Sequence, residues 1–232
     1  MQRADVSGVT ANAGKAVAGL GILDGPVLVF GGPYSNLEAT EAMLAVAAAR
    51  GIPPERIVCT GDVVAYCADP EATVRAVREA GVHVVMGNCE ESLARSAPDC
   101  GCGFAVGSAC QGLSEQWYAY AKGQLSAGAR RWMAGLPRQL RFAFAGRRFA
   151  VVHGSASSIN RFIFASTPAA EKAAEIAKAG VDAIIGGHSG LPFSQLVHGR
   201  LWHNAGAVGL NPIRGSPVPR PRPQVAARSN SV

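Results

Sequence analysis

The chain has 232 residues, 48% of them hydrophobic, which suits one substantial α/β domain and argues against a separate second one. No run approaches the roughly eighteen apolar residues of a transmembrane helix, and no charged-then-apolar leader with a cleavage site opens the chain, so a cytoplasmic protein with no membrane partner is expected. The formal charge of +6 is mostly a property of the C-terminus: residues 212–232 hold Arg214, Arg220, Arg222 and Arg228 and no acid, leaving +2 for the rest, so nucleic-acid contact is expected at most weakly, through that tail.

In chain order, residues 1–24 are rich in Ala, Gly and Val without periodicity and read as a poorly ordered leader. A domain over 25–210 follows. A buried strand over 27–30 leads into a Gly-Gly-Pro loop, and Asn36 can cap a helix running to Arg50, with Gly51 as its stop. The run Ile57-Val58-Cys59 is short, apolar and β-branched, and it delivers Asp62 to a sheet edge. A helix over 70–80, with proline in its first turn, precedes a strand over 84–86 that ends at Gly87-Asn88. Strand, helix, strand, helix, strand implies parallel pairing. Over 89–112 no element is evident, and an irregular stretch of that length inside a domain is usually functional or disordered.

Helical segments over 113–122 and 126–135 come next, with their aromatic residues expected in the core or against the long loop. Two strands flank Ala145-Gly146-Arg147, a hairpin signal, and the second runs into His153. A helix over 167–179 and a strand over 183–187 lead to His188, and a last hairpin turns at His198-Gly199-Arg200. The sheet is therefore expected to turn antiparallel toward its end. Residues 211–232, with five prolines and four arginines, cannot form a strand. That tail reads as a disordered basic extension or as a terminus altered by a change of reading frame.

Four strand ends thus offer Asp62, Asn88, His153 and His188, an oxygen and nitrogen set that can converge on one metal. Each alone is an ordinary turn or core residue, and their order along the chain is what gives them weight. The six cysteines, without a secretory leader, read as thiols or metal ligands. Cys100, Cys102 and Cys110 could form a second, thiolate metal site, although their spacing is not that of a zinc ribbon.

The order of the motifs Gly61-Asp62, Gly87-Asn88, His153-Gly154, Gly187-His188 and Asn204-Ala205-Gly206 resembles that of the calcineurin-like metallophosphoesterases, over about 27–210. Ser35-Asn36-Leu37-Glu38-Ala39 is most similar to the small bacterial phosphodiesterase branch. The resemblance implies an α/β (α+β) fold, a four-layer α/β/β/α sandwich with mixed sheets around a two-metal site. It also implies the departures. The Asp-x-His that opens the family's pattern falls on Gly32 and Tyr34, and the second histidine of its Gly-His-x-His falls on Gly190. The ligands private to one metal are absent, whereas Asp62, Asn88, His153 and His188 supply the other, so one divalent transition metal (Zn, Mn or Fe) is expected.

The family's phosphate-contacting histidine falls on Cys89, which acts as a nucleophile or ligand if it is a thiolate, or merely fills space. Asp62 and Cys89 are the catalytic candidates. Tyr34, Asn36 and Glu90 are the substrate-binding candidates, with helix capping competing for Asn36. The expected activity is hydrolysis of a small phosphomonoester or phosphodiester at a single-metal site. The alternative is a catalytically silent relative that binds a metal or a phosphorylated ligand in a regulatory role. Neither substrate identity nor oligomeric state is legible.

Overall fold

A computed structural model describes residues 16–210, so the expectations for 1–15 and for the tail from 211 onward lie outside the described residues. Strand β1 (Val17–Ile22) pairs in parallel with a later strand, Val17 opposite Gln139 and Leu140 opposite Ala18. This corrects the reading of 1–24 as a poorly ordered leader throughout. β1 sits at a sheet edge with much of its surface exposed and two glycines in six residues, so it carries no alternating apolar signal.

Three short strands, β2 (Leu28–Phe30), β3 (Ile57–Cys59) and β4 (His83–Val84), form a parallel sheet in that order. Their crossovers contain α1 (Leu37–Ala49) and α2 (Pro70–Glu79), as the alternating pattern requires. Asn36 caps α1, its side-chain oxygen accepting from the Ala39 N–H at 2.9 Å. α2 buries Val74 and Val77 completely against this sheet, each such side chain contributing roughly 1.5–3 kcal/mol.

The expected strand over 84–86 is shorter than its apolar run, and the chain turns at Gly87 into helix α3 (Asn88–Ala94). Asn88 therefore begins a helix. The stretch expected to lack structure also contains the first turn of α4 (Ala109–Gln124), which is followed by α5 (Ala127–Ala134). α3 escaped sequence reading because seven residues span only two turns, too few for a periodic apolar face to register. Ser108 and Ser126 cap α4 and α5.

The second sheet has six strands in the order β1-β5-β6-β7-β9-β8, with β5 (Gln139–Phe144), β6 (Arg147–Val152), β7 (Ala183–Gly186), β8 (Phe193–Val197) and β9 (Arg200–Asn204). The two hairpins, β5–β6 and β8–β9, are antiparallel. β6–β7 is parallel because α6 (Ala169–Ala179) provides a crossover between them, and β7–β9 is parallel because β8 intervenes before the chain turns back into β9. The sheet is mixed, not progressively antiparallel.

Buried residues separate into three clusters that define the layers. Val58 of the small sheet and Val85, directly after β4, meet Leu140, Phe142, Val151 and Ile185 of the large one, so the sheets lie face to face. Residues of α2 to α5 cover the outer face of the small sheet, and Ile176 and Ala179 of α6 cover the large sheet beside Trp202. The result is the expected four-layer α/β/β/α sandwich.

Candidate metal centre

The C-terminal ends of β3, β6 and β7 meet at one edge, where open α/β sheets characteristically bind ligands. Two bonds tie those ends together. The Gly187 N–H donates to the His153 carbonyl at 2.7 Å, and His153 Nδ1 lies 2.7 Å from the Thr60 carbonyl oxygen. A carbonyl only accepts, so Nδ1 carries the hydrogen and the neutral ring presents a bare lone pair at Nε2.

Around that Nε2 stand Asn88 Oδ1 at 3.0 Å, His188 Nδ1 at 3.1 Å and Asp62 Oδ2 at 3.2 Å. The Asn88 orientation is assigned by its other end, since Nδ2 donates to the Cys100 carbonyl at 2.8 Å. With His188 protonated at Nε2, four acceptor atoms face one another with no hydrogen between them. In that tautomer a cation or an added proton satisfies the cluster. Among the described residues, Asp62, His153 and His188 also form a group whose ligand atoms lie within 4.8 Å of one another. Moreover, His188 Nε2 is buried without a hydrogen-bond partner. Two oxygens and two imidazole nitrogens fit a divalent transition metal such as Zn, Mn or Fe(II).

Local backbone strain aims these groups. Asp62 and His188 have φ of 54° and 60°, and Tyr34 and Ser35 have 54° and 57°. Left-handed geometry at non-glycine residues is uncommon and clusters at functional sites. Asp62 is held there by Glu90, whose Oε2 accepts from the N–H groups of both Asp62 and Gly87 at 2.9 Å, while Oε1 accepts from Val64 at 3.2 Å. Gly87 has no alternative: a Cβ there would come within 2.3 Å of Asp62 Oδ1. Asn204 braces the opposite wall, donating to the Gly187 carbonyl at 2.6 Å.

Charge is distributed accordingly. Burial alone would raise Asp62, but the charge and hydrogen bond of His153, together with His188, hold its carboxyl below the usual carboxylate range. Burial alone would lower His153, but Asp62 and the Thr60 carbonyl raise it. His188 is pushed down to about 4, first by burial and then by His153, so it is neutral at physiological pH. Burial, then Asp62, raises Glu90 to about 7.

The other candidates occupy different roles from those expected. Glu90 is fully buried and spends both oxygens on backbone N–H groups, so it clasps the Asp62 turn and does not face a substrate. Asn36 is committed at both ends, to Ala39 and to the Gly209 carbonyl. Burial, and then the carboxylates of Asp62 and Glu90, push Cys89 up, leaving a thiol and not the thiolate that a nucleophile requires. Cys100 and Cys102 are joined as a disulfide, and Cys110 is exposed at the start of α4. The proposed thiolate site is thus absent, and the Cys100–Cys102 turn supports Asn88 through the Cys100 carbonyl and Cys102 Sγ.

Tyr34 fills space. A Cβ at Gly32 would lie 2.7 Å from its Cζ, and one at Gly190 would lie 3.6 Å from its hydroxyl. The tyrosine ring thus occupies the ground between the two positions that carry neither aspartate nor histidine. Sequence reasoning missed Thr60, whose backbone carbonyl sets the His153 tautomer and leaves no side-chain signature.

The calcineurin-like phosphoesterase superfamily domain matches residues 35–218. The chain belongs to that family. No relative was found among curated proteins. Of solved structures, it is similar to protein PH1004 of Pyrococcus horikoshii OT3, with a TM-score of 0.65 at 18% identity over 79% of this chain and 77% of that one. It is also similar to a metallophosphoesterase of Sphaerobacter thermophilus, with a TM-score of 0.57 at 22% identity over 79% and 76%. At these identities the likeness is one of fold. Membership in a metal-dependent family and the four-acceptor cluster agree with each other. None of the helices among the described residues is long and apolar enough to cross a membrane.

Proposed function

We propose that this phosphoesterase-family protein hydrolyses a phosphomonoester or phosphodiester at a site for one divalent metal, held by Asp62, Asn88, His153 and His188. One observation carries the single-metal reading: Asn88 Oδ1, His188 Nδ1 and Asp62 Oδ2 close around His153 Nε2 as one set of four ligand atoms, while the Tyr34 ring takes the space beside Gly32 and Gly190 where further ligands would be needed. A metal held there supplies Lewis-acid activation of water and of a phosphoryl oxygen, without the two-metal clamp on both attacking and leaving oxygens. The chain's own part is to orient. Thr60 sets the His153 tautomer, Glu90 fixes the Asp62 backbone, and the Cys100 carbonyl turns Asn88 Oδ1 toward the ion.

In the reaction, the oxygen of water bonds to phosphorus, the ester P–O bond breaks, and the alcohol departs with a proton. Metal analysis combined with hydrolysis of an aryl phosphodiester under added Mn or Zn tests the proposal. One ion per chain with turnover abolished by Asp62→Ala supports it, and two ions per chain overturn the single-metal reading.

A second reading, a silent member that binds a metal or phosphorylated ligand for regulation, has its own support. The groups nearest the cluster are poor proton donors to a leaving oxygen, since burial raises both Tyr34 and Cys89. One ion per chain without turnover on any ester offered would favour it.

A further inference from the structure

Beside His188 opens a cavity of about 270 Å³, near the lower end of small-ligand pockets. Tyr34, Tyr66, Phe104 and Phe162 line it together with His188, Ser189 and Gly190. The Phe162 ring lies 4.2 Å from the His188 ring, and Phe104 lies 6.0 Å from Phe162. Tyr66 meets Tyr34 edge-on at 5.0 Å. Among the described residues, no lysine, arginine, aspartate or glutamate lines the cavity. Asn204 Nδ2 donates to the Ser189 hydroxyl at 3.0 Å, which leaves the hydroxyl hydrogen for an acceptor.

We infer that this cavity seats the alcohol portion of the substrate, and that this portion is a flat, uncharged aryl alcohol, a phenol-type ring bonded through its oxygen to a single phosphoryl group. The inference rests on the phosphoesterase reading and narrows it. Aromatic walls favour ring faces by stacking and edge contacts. A further phosphate would need charge-assisted partners, which the described lining does not offer. His188 belongs both to the acceptor cluster and to the cavity wall, so a phosphoryl group at the cluster directs its substituent between the rings.

Binding of non-hydrolysable phosphonates to the metal-loaded full chain, measured by calorimetry, tests this without depending on turnover. Phenylphosphonate is expected to bind at least about tenfold more tightly than methylphosphonate. In Phe162→Leu, and separately in the half-exposed Tyr66→Leu, the aromatic preference should shrink while methylphosphonate affinity and metal per chain stay unchanged. Equal binding of the phenyl and methyl compounds overturns the aromatic seat and leaves the phosphoesterase reading standing, as does a preference that survives in both variants. If neither phosphonate binds a chain that carries its metal, both readings fall.

Discussion

A Cβ on Gly32 would lie 2.7 Å from Cζ of Tyr34, so a side chain at position 32 and the tyrosine ring compete for one volume. Gly32→Asp alone should therefore destabilise the protein by about 1–3 kcal/mol through overpacking, read as a lower Tm, and should add no metal. The combination Gly32→Asp, Tyr34→His and Gly190→His removes the ring and adds three ligands. It should raise the metal content from one toward two ions per chain, and a triple variant that stays folded with one ion would argue that more than Tyr34 excludes the second.

Asp62 contributes the only negative charge among the four ligand atoms. Asp62→Asn keeps the shape and removes that charge, so metal affinity should fall by at least about a hundredfold, exceeding the loss typical of an outer-sphere change. Titration calorimetry with Mn or Zn reads the difference directly. Unchanged affinity would place the ion elsewhere.

The same cluster makes metal binding depend on pH in a defined sense. In the metal-free chain the raised His153 contributes stability that is present below its ordinary value of 6.5 and is lost as pH rises through its higher folded value. The depressed Asp62 contributes stability present above its ordinary 3.8 and lost as pH falls through its lower folded value. Metal-free stability should thus decline from neutral pH upward. A metal displaces the His153 proton, so the Tm increment given by saturating metal should grow as pH rises above 6.5. A constant increment would mean that His153 is not a ligand.

Glu90 accepts three backbone N–H groups from two segments. Glu90→Ala leaves those donors buried and unpaired and should cost at least about 3 kcal/mol in denaturant unfolding. Metal affinity should fall too, because the strained Asp62 turn loses its clasp. A loss of affinity without a loss of stability would point to direct contact with the metal or ligand.

Lys172 is completely buried, and its Nζ donates to the carbonyls of Ala165 and Thr167 and to Gln195 Oε1. It anchors the segment that follows Phe162 to β8. Lys172→Met, close in volume, should destabilise the fold by about 2 kcal/mol through three orphaned acceptors. It should also loosen that segment, measurable as faster amide exchange over residues 163–167.

The sequence by itself determined the strand ends that carry Asp62, His153 and His188, because each lies at the end of a short apolar run with a glycine directly beside it, and it determined the capping residue Asn36. Its motif order was enough to indicate the family and the layered fold. Tertiary structure decided the rest. Whether four acceptors share one cluster depends on how two sheets stack, and that stacking alone brings the Thr60 carbonyl against a histidine 93 positions away. Glu90 read as a substrate-binding candidate because the burial and the three backbone donors that commit it come only from the chain reversals at Asp62 and Gly87. β1 and α3 were hidden because an exposed edge strand and a two-turn helix lack the apolar period that sequence reading detects. The aromatic cavity had no signature either: Tyr34, Tyr66, Phe104 and Phe162 lie on separate segments, and only the folded sandwich sets their rings around His188.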